Sequence, residues 1–138
     1  MKNKSLFSIS IAVFIISLFT QSFSKFQAFD LKASIVRGKE VYTNYCITCH
    51  MEEGNGVENV FPPLAKSDYL MADKKRSILQ VIKGATGEMK VNGKTYNTPM
   101  VGIDLSDEQV SDVLNYVRNS WSNKGAAIKP VDVANAKK

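Results

Sequence analysis

Apolar and polar positions along this chain alternate between helix-like stretches and irregular ones. From Ala33 to Tyr45 the composition is that of a helix, with Ile35, Val36, Val41, Tyr42 and Tyr45 as its apolar positions. Ile35, Tyr42 and Tyr45 fall on nearly one face at helical spacing. Met51 to Pro63 carries Gly54, Asn55, Gly56, Asn59 and the pair Pro62-Pro63, a composition that predicts loop. Asp73 is placed to cap a helix through Ser77 to Lys83, and Gly84 to end it. Gly87 to Met100 reads as an extended loop, in which Val91-Asn92-Gly93-Lys94 predicts a short hairpin. The last helix has the strongest signature. Ser106 and Gln109 fit a capping box and Leu105 with Val110 a hydrophobic staple; Val110, Val113, Leu114, Val117 and Trp121 then recur at helical spacing. Beyond Trp121 the period fades, and residues 123–138 read as a tail that frays at Lys137-Lys138. The order helix, loop, helix, long loop, helix predicts an all-α domain with its core at about 33–122.

At 138 residues the chain has room for one compact core and not for two ordinary domains. The start reads as targeting. Lys2 and Lys4 precede an uncharged apolar run, Leu6 to Phe19, and Ser22 and Ser24 supply small residues before Lys25. This predicts a signal peptide over 1–24, export to the periplasm, and a mature domain over 25–138. An uncleaved anchor is the alternative and would leave the protein membrane-associated, although about 14 apolar residues fall short of the roughly 20 that span a bilayer. The formal charge is +5; the 18 basic residues less Lys2 and Lys4 leave 16 against 13 acidic ones. That balance gives no support to nucleic-acid binding.

Two cysteines in an exported protein would ordinarily suggest a disulfide. Here they stand as Cys46-Ile47-Thr48-Cys49-His50, the Cys-x-x-Cys-His attachment sequence of c-type haem. The spacing brings both sulfurs to one side of a helical turn, where they can form thioethers with the two haem vinyls, and His50 can reach the iron from that side. The chain has 2 cysteines and 1 histidine in all. A redox-active dithiol belongs beside a parallel sheet, which no part of this pattern predicts, and a zinc site needs a fourth ligand. Haem c with its iron is the reading these residues favour, a disulfide and a metal site being the alternatives.

Without a second histidine, the far side of the iron is left to methionine, water or an open position. Met1 lies in the leader, Met51 adjoins His50, and Met71 stands near a helix start where packing is the simpler role. Met89 and Met100 remain. Met100 follows Pro99, which stiffens its approach, and precedes the final helix; it is the favoured axial ligand, with Met89 as the alternative.

From Ile35 to Trp121 the chain resembles the class I cytochrome c family. Gly38 and Tyr42 resemble its N-terminal helix and Tyr116 the aromatic that meets it, so the resemblance implies a small helical domain wrapped around one haem, its terminal helices crossing closely at the glycine. Phe61-Pro62-Pro63-Leu64 is similar to a family segment in which Pro62 would offer its carbonyl to the other ring nitrogen of His50, orienting the imidazole. Val91-Asn92-Gly93, Tyr96, Met100 and Leu114 to Trp121 are closer to the cytochrome domains of copper nitrite reductases and of membrane-bound alcohol and sugar dehydrogenases. Those relatives often carry proline after the ligand methionine, whereas here Pro99 precedes Met100 and Val101 follows, which keeps Met89 open.

The expected function is single-electron transfer between redox protein partners at a haem edge, with Leu64, Ile78, Ile82, Val113 and Val117 as candidates for the haem wall. The stretch Lys66 to Lys94 holds seven basic residues against three acidic ones, a surface able to steer an acidic partner. Two alternatives stand beside this: a haem enzyme or gas-binding protein with an open iron position, peroxidase-like, or a fixed cytochrome subunit of a dehydrogenase or reductase complex. Neither donor nor acceptor can be named from sequence.

Overall fold

A computed structural model describes residues 28–138; the expected signal peptide over 1–24 lies outside the described residues. Six helices and two small sheets make up the described chain: α1 Leu31–Tyr45, α2 Ile47–His50, α3 Asp68–Ala72, α4 Lys74–Lys83, β1 Gly84–Ala85, β2 Met89–Val91, β3 Lys94–Tyr96, β4 Met100–Val101, α5 Asp107–Val117 and α6 Pro130–Ala136. None of these helices is long and apolar enough to cross a membrane.

The frame is the crossing of α1 on α5. Asp30 caps α1, its carboxylate accepting from Ala33 N at 3.0 Å. The face that α1 buries is Ser34, Gly38, Val41 and Tyr42: of the expected Ile35, Tyr42 and Tyr45, Tyr42 is buried, Ile35 partly buried and Tyr45 exposed. The difference has a steric reason. A Cβ on Gly38 would lie 1.9 Å from Asp112 O, so the backbones meet where the side chain is absent, and that contact selects the small-residue face. Tyr45 is left 52% exposed. Beside the crossing, Trp121 packs edge to face on Tyr42 and Tyr116, which are tilted against each other, with ring centroids 5.3 to 5.5 Å apart, and Tyr42 Oη donates to Met51 O at 2.6 Å.

Polar groups finish the interface. Arg37 pairs with Asp112 through Nε at 2.7 Å, and the nearly inaccessible Asp112 carboxylate also accepts from Ser34 Oγ at 2.5 Å. The hydrogen bond to Asp112, with the charges of Asp112 and Glu108, raises the Arg37 pKa against the lowering by burial.

Helix α5 starts as its sequence predicts. Ser106 and Gln109 close a reciprocal capping box, and Leu105 and Val110 are both buried. Asp73 caps α4 and Gly84 ends it. The Asn92-Gly93 turn has φ 49° and 81°, positive at both central residues as a two-residue hairpin requires, and joins β2 to β3. The second pairing, β1 with β4, departs from an all-α expectation: the long loop returns to the end of α4 and is held there by a two-residue ladder.

The segment from Lys124 onward is a correction to the tail reading. It folds back over α5 and α4 and ends in α6, with Ile128 and Val133 fully buried. Pro130 stands at the first helical position and Asp132 accepts from Lys129 N at 2.8 Å. Asn115 makes the fixing contact, donating to Ile128 O and accepting from Ile128 N, each at 2.8 Å.

Candidate functional site

The cysteine pair sits where α1 gives way to α2. Cys46 ends the first helix and Cys49 N and His50 N both return to Cys46 O, at 3.3 and 3.0 Å. One tight turn therefore sets both sulfurs and the imidazole in a fixed relation. Neither cysteine is in a disulfide. Burial, with Cys49 nearby, pushes the Cys46 thiol up to about 11. A nucleophilic dithiol has its thiolate stabilised; burial at Cys46 does the opposite.

His50 is oriented from the next loop. Its Nδ1–H donates to Pro62 O at 3.0 Å, which leaves Nε2 as the nitrogen available to a metal. Burial lowers the imidazole's pKa, partly offset by the Pro62 bond, so the neutral form that ligates metals is favoured.

A cavity of about 450 Å³ opens in front of these residues, and Cys46, Cys49, His50, Met89 and Met100 all line it. Its wall is chiefly apolar, and no lysine, arginine, aspartate or glutamate contributes to it. Size, apolar wall, paired thiols and a ring nitrogen match what a covalently attached haem requires. Among the described methionines, Met51 and Met71 stay off the cavity.

Met100 comes from β4, where it pairs with Ala85. That ladder depends on Gly84, which has φ 81° and whose Cβ would lie 2.2 Å from Met100 O. Met89 comes from β2 opposite Tyr96, in a hairpin whose Val91 and Tyr96 are buried and whose Asn92 exchanges hydrogen bonds with Asp68.

Of the expected wall residues, Leu64, Val113 and Val117 line the cavity, while Ile78 and Ile82 do not. Ile78 turns into the core at 2% exposure, and Val81 takes the lining position; α4 is rotated by the need to bury Ile78. Tyr45, which the helical spacing assigns to the buried face of α1, instead lines the cavity, as do Tyr69, Gln80 and Thr98. No apolar period marks the last three.

With this geometry in view, the comparisons with known proteins are consistent. A family model, Cytochrome c, matches residues 35–121. The chain is 32% identical over 108 residues to cytochrome c-552 of Thermus thermophilus, covering 73% of this chain and 82% of that protein. It is 35% identical over 114 residues to cytochrome c6 of Gracilaria tenuistipitata var. liui, covering 81% and 94%. It is also 35% identical over 88 residues to the cytochrome c subunit of a quinone alcohol dehydrogenase of Gluconobacter oxydans, covering 62% of this chain and 18% of that subunit. The chain thus spans less than a fifth of the length of that dehydrogenase subunit. It belongs to the cytochrome c family, whose members hold haem c covalently and carry electrons.

Proposed function

We propose that this chain is an exported, periplasmic single-haem electron carrier in which Cys46 and Cys49 form the thioethers and His50 and Met100 are the axial ligands of the iron. The observation that carries the reading is the convergence of both thiols, the one histidine and two methionines on a single apolar cavity. Bound there, haem supplies reversible one-electron chemistry between ferric and ferrous iron.

The chain's own residues then have separable tasks. The Cys46–His50 turn fixes one edge of the macrocycle, and Pro62 O keeps the imidazole in one tautomer and one orientation. Met100 is preferred to Met89 because its backbone is tied to the end of α4 by the β1–β4 ladder and follows Pro99, which stiffens its approach. A thioether there completes the coordination of the iron and raises its potential, which suits electron transfer and not substrate binding. Tyr45 and Val101 line the cavity yet remain 52% and 82% exposed, giving the rim an apolar lip where a redox partner can approach. Such partners need a small contact and fast release.

The spectrum of the loaded protein tests this. Expected are haem that stays with the denatured polypeptide, a methionine-to-iron charge-transfer band in the ferric state, and no uptake of carbon monoxide by the untreated ferrous state. Rapid carbon monoxide uptake would instead favour an open iron position. A second reading, a fixed cytochrome subunit of a dehydrogenase, is supported by the similarity to the alcohol dehydrogenase subunit; its expected signature is co-purification with a dehydrogenase through salt washes.

A further inference from the structure

We infer that Asn123 and Trp121 are positioning residues for His50, acting through the carbonyl of Pro62. The inference rests on the reading of His50 as an iron ligand.

The segment Pro62 to Leu64 belongs to no helix or sheet, so the aim of the Pro62 carbonyl depends on what holds the chain around it. Three sets of contacts do so: before Pro62, Val57 N donates to Phe61 O at 2.9 Å and Phe61 N to Val57 O at 2.8 Å, and two more sets hold the residues after it. Leu64 N and Ala65 N donate to Gly54 O at 2.7 and 2.9 Å. From the other side Asn123, 7% exposed, donates through Nδ2 to Leu64 O at 2.9 Å and to Val117 O at 2.7 Å. Its Oδ1 accepts from Lys66 N at 2.9 Å. The amide of Asn123 is thus wholly occupied with backbone, two of its three partners lying just past Pro62 and the third at the end of α5.

Trp121 holds the Gly54 end of the same arrangement. A Cβ on Gly54 would lie 2.6 Å from the Trp121 ring, so the indole rests directly on that glycine. Trp121 and the following Ser122 both adopt left-handed backbone, with φ 50° and 73°. Two consecutive non-glycine residues in that region are strained, and such strain persists only where surrounding contacts over-determine it. This turn is what returns both the Trp121 ring and the Asn123 amide to the loop that carries Pro62.

The consequence is electronic as well as structural. A hydrogen bond from Nδ1–H to a carbonyl raises the basicity of a ligating imidazole and so favours ferric iron. Loosening the loop weakens that bond and raises the reduction potential.

The test uses the haem-loaded full chain. Asn123→Leu is expected to raise the reduction potential and to speed solvent exchange of the His50 ring N–H, followed by NMR, by roughly fivefold or more. Trp121→Leu is expected to act in the same direction and less strongly. Asn115→Leu removes a buried amide of the same kind that clamps Ile128, and should lower the melting temperature while moving neither readout. Should Asn123→Leu fail to take up haem, Asn123→Asp is read in its place by N–H exchange: it keeps an acceptor for Lys66 N but cannot donate to Leu64 O. Wild-type potential and exchange in these Asn123 variants, or equal shifts in Asn115→Leu, would overturn the inference. A wild-type His50 ring proton unaffected by the iron would overturn it together with the ligand reading, which separates the two failures.

Discussion

The two walls of the cavity are built by different means. On the histidine side, Cys46, Cys49 and His50 occupy one turn, and the partner that orients the imidazole, Pro62, stands on the next loop. The buried amide of Asn123 bonds to the residues just past Pro62, and the Trp121 indole rests on Gly54, to which they also bond. On the methionine side, two candidate ligands arrive from a long segment between α4 and α5, held by strand pairs of two and three residues, by reciprocal bonds of Asn92 with Asp68 and by the bond of Ile103 N to Val81 O. The histidine wall is local in sequence and over-determined in contacts; the methionine wall depends on where a loop returns. A ligand encoded in one local turn on one side and a ligand delivered by a distant ladder on the other mean that perturbations of the two should separate cleanly.

The largest effect is expected at the first wall. Replacing both Cys46 and Cys49 by serine should abolish covalent attachment, seen as a denatured polypeptide whose mass lacks the haem; retained attachment would contradict the site. On the methionine side, Gly84→Ala forces a Cβ toward Met100 O in a left-handed conformation. It should cost roughly 3 kcal/mol in unfolding free energy and weaken the methionine-to-iron band, whereas the covalent bonds to haem survive. Unfolding free energy lost with that band intact would point to Met89.

Away from both walls, Asn115→Leu leaves the buried N–H and C=O of Ile128 without partners. Denaturant unfolding should show a loss of roughly 2 to 4 kcal/mol, with the spectrum unchanged. Smallest of all is Lys94→Ala, which breaks the exposed pair with Glu58 on the hairpin. Lys94 and Glu58 stabilise each other's charged form, raising one pKa and lowering the other, but both are solvated, and no measurable change in melting temperature is expected.

What was legible in the sequence divides along the same line. The Cys46–His50 motif, the Ser106–Gln109 cap and the Asn92-Gly93 turn are each encoded within a few neighbouring residues, so chemistry at fixed spacing reveals them. Apolar spacing alone puts Tyr45 on the buried face of α1, whereas the choice is made by the backbone contact of Gly38 with Asp112, which the family resemblance implies and the local pattern does not. The residues after Lys124 looked like a tail because α6 spans seven residues, too few for a period to emerge; Pro130 at its first position was the available signal. Asn115 and Asn123 gave none, since an asparagine that binds distant backbone looks in sequence like any other polar residue. The wall position of Val81 in place of Ile82 reflects a helix rotation that packing on Ile78 decides.

The central claim is that Met100 completes the iron's coordination opposite His50. It is tested most directly by comparing Met100→Ala with Met89→Ala in the haem-loaded protein. The account predicts that Met100→Ala alone loses the methionine-to-iron charge-transfer band and gains rapid carbon monoxide binding in the ferrous state, while Met89→Ala keeps the wild-type spectrum. Loss of the band in Met89→Ala with Met100→Ala unchanged would contradict it.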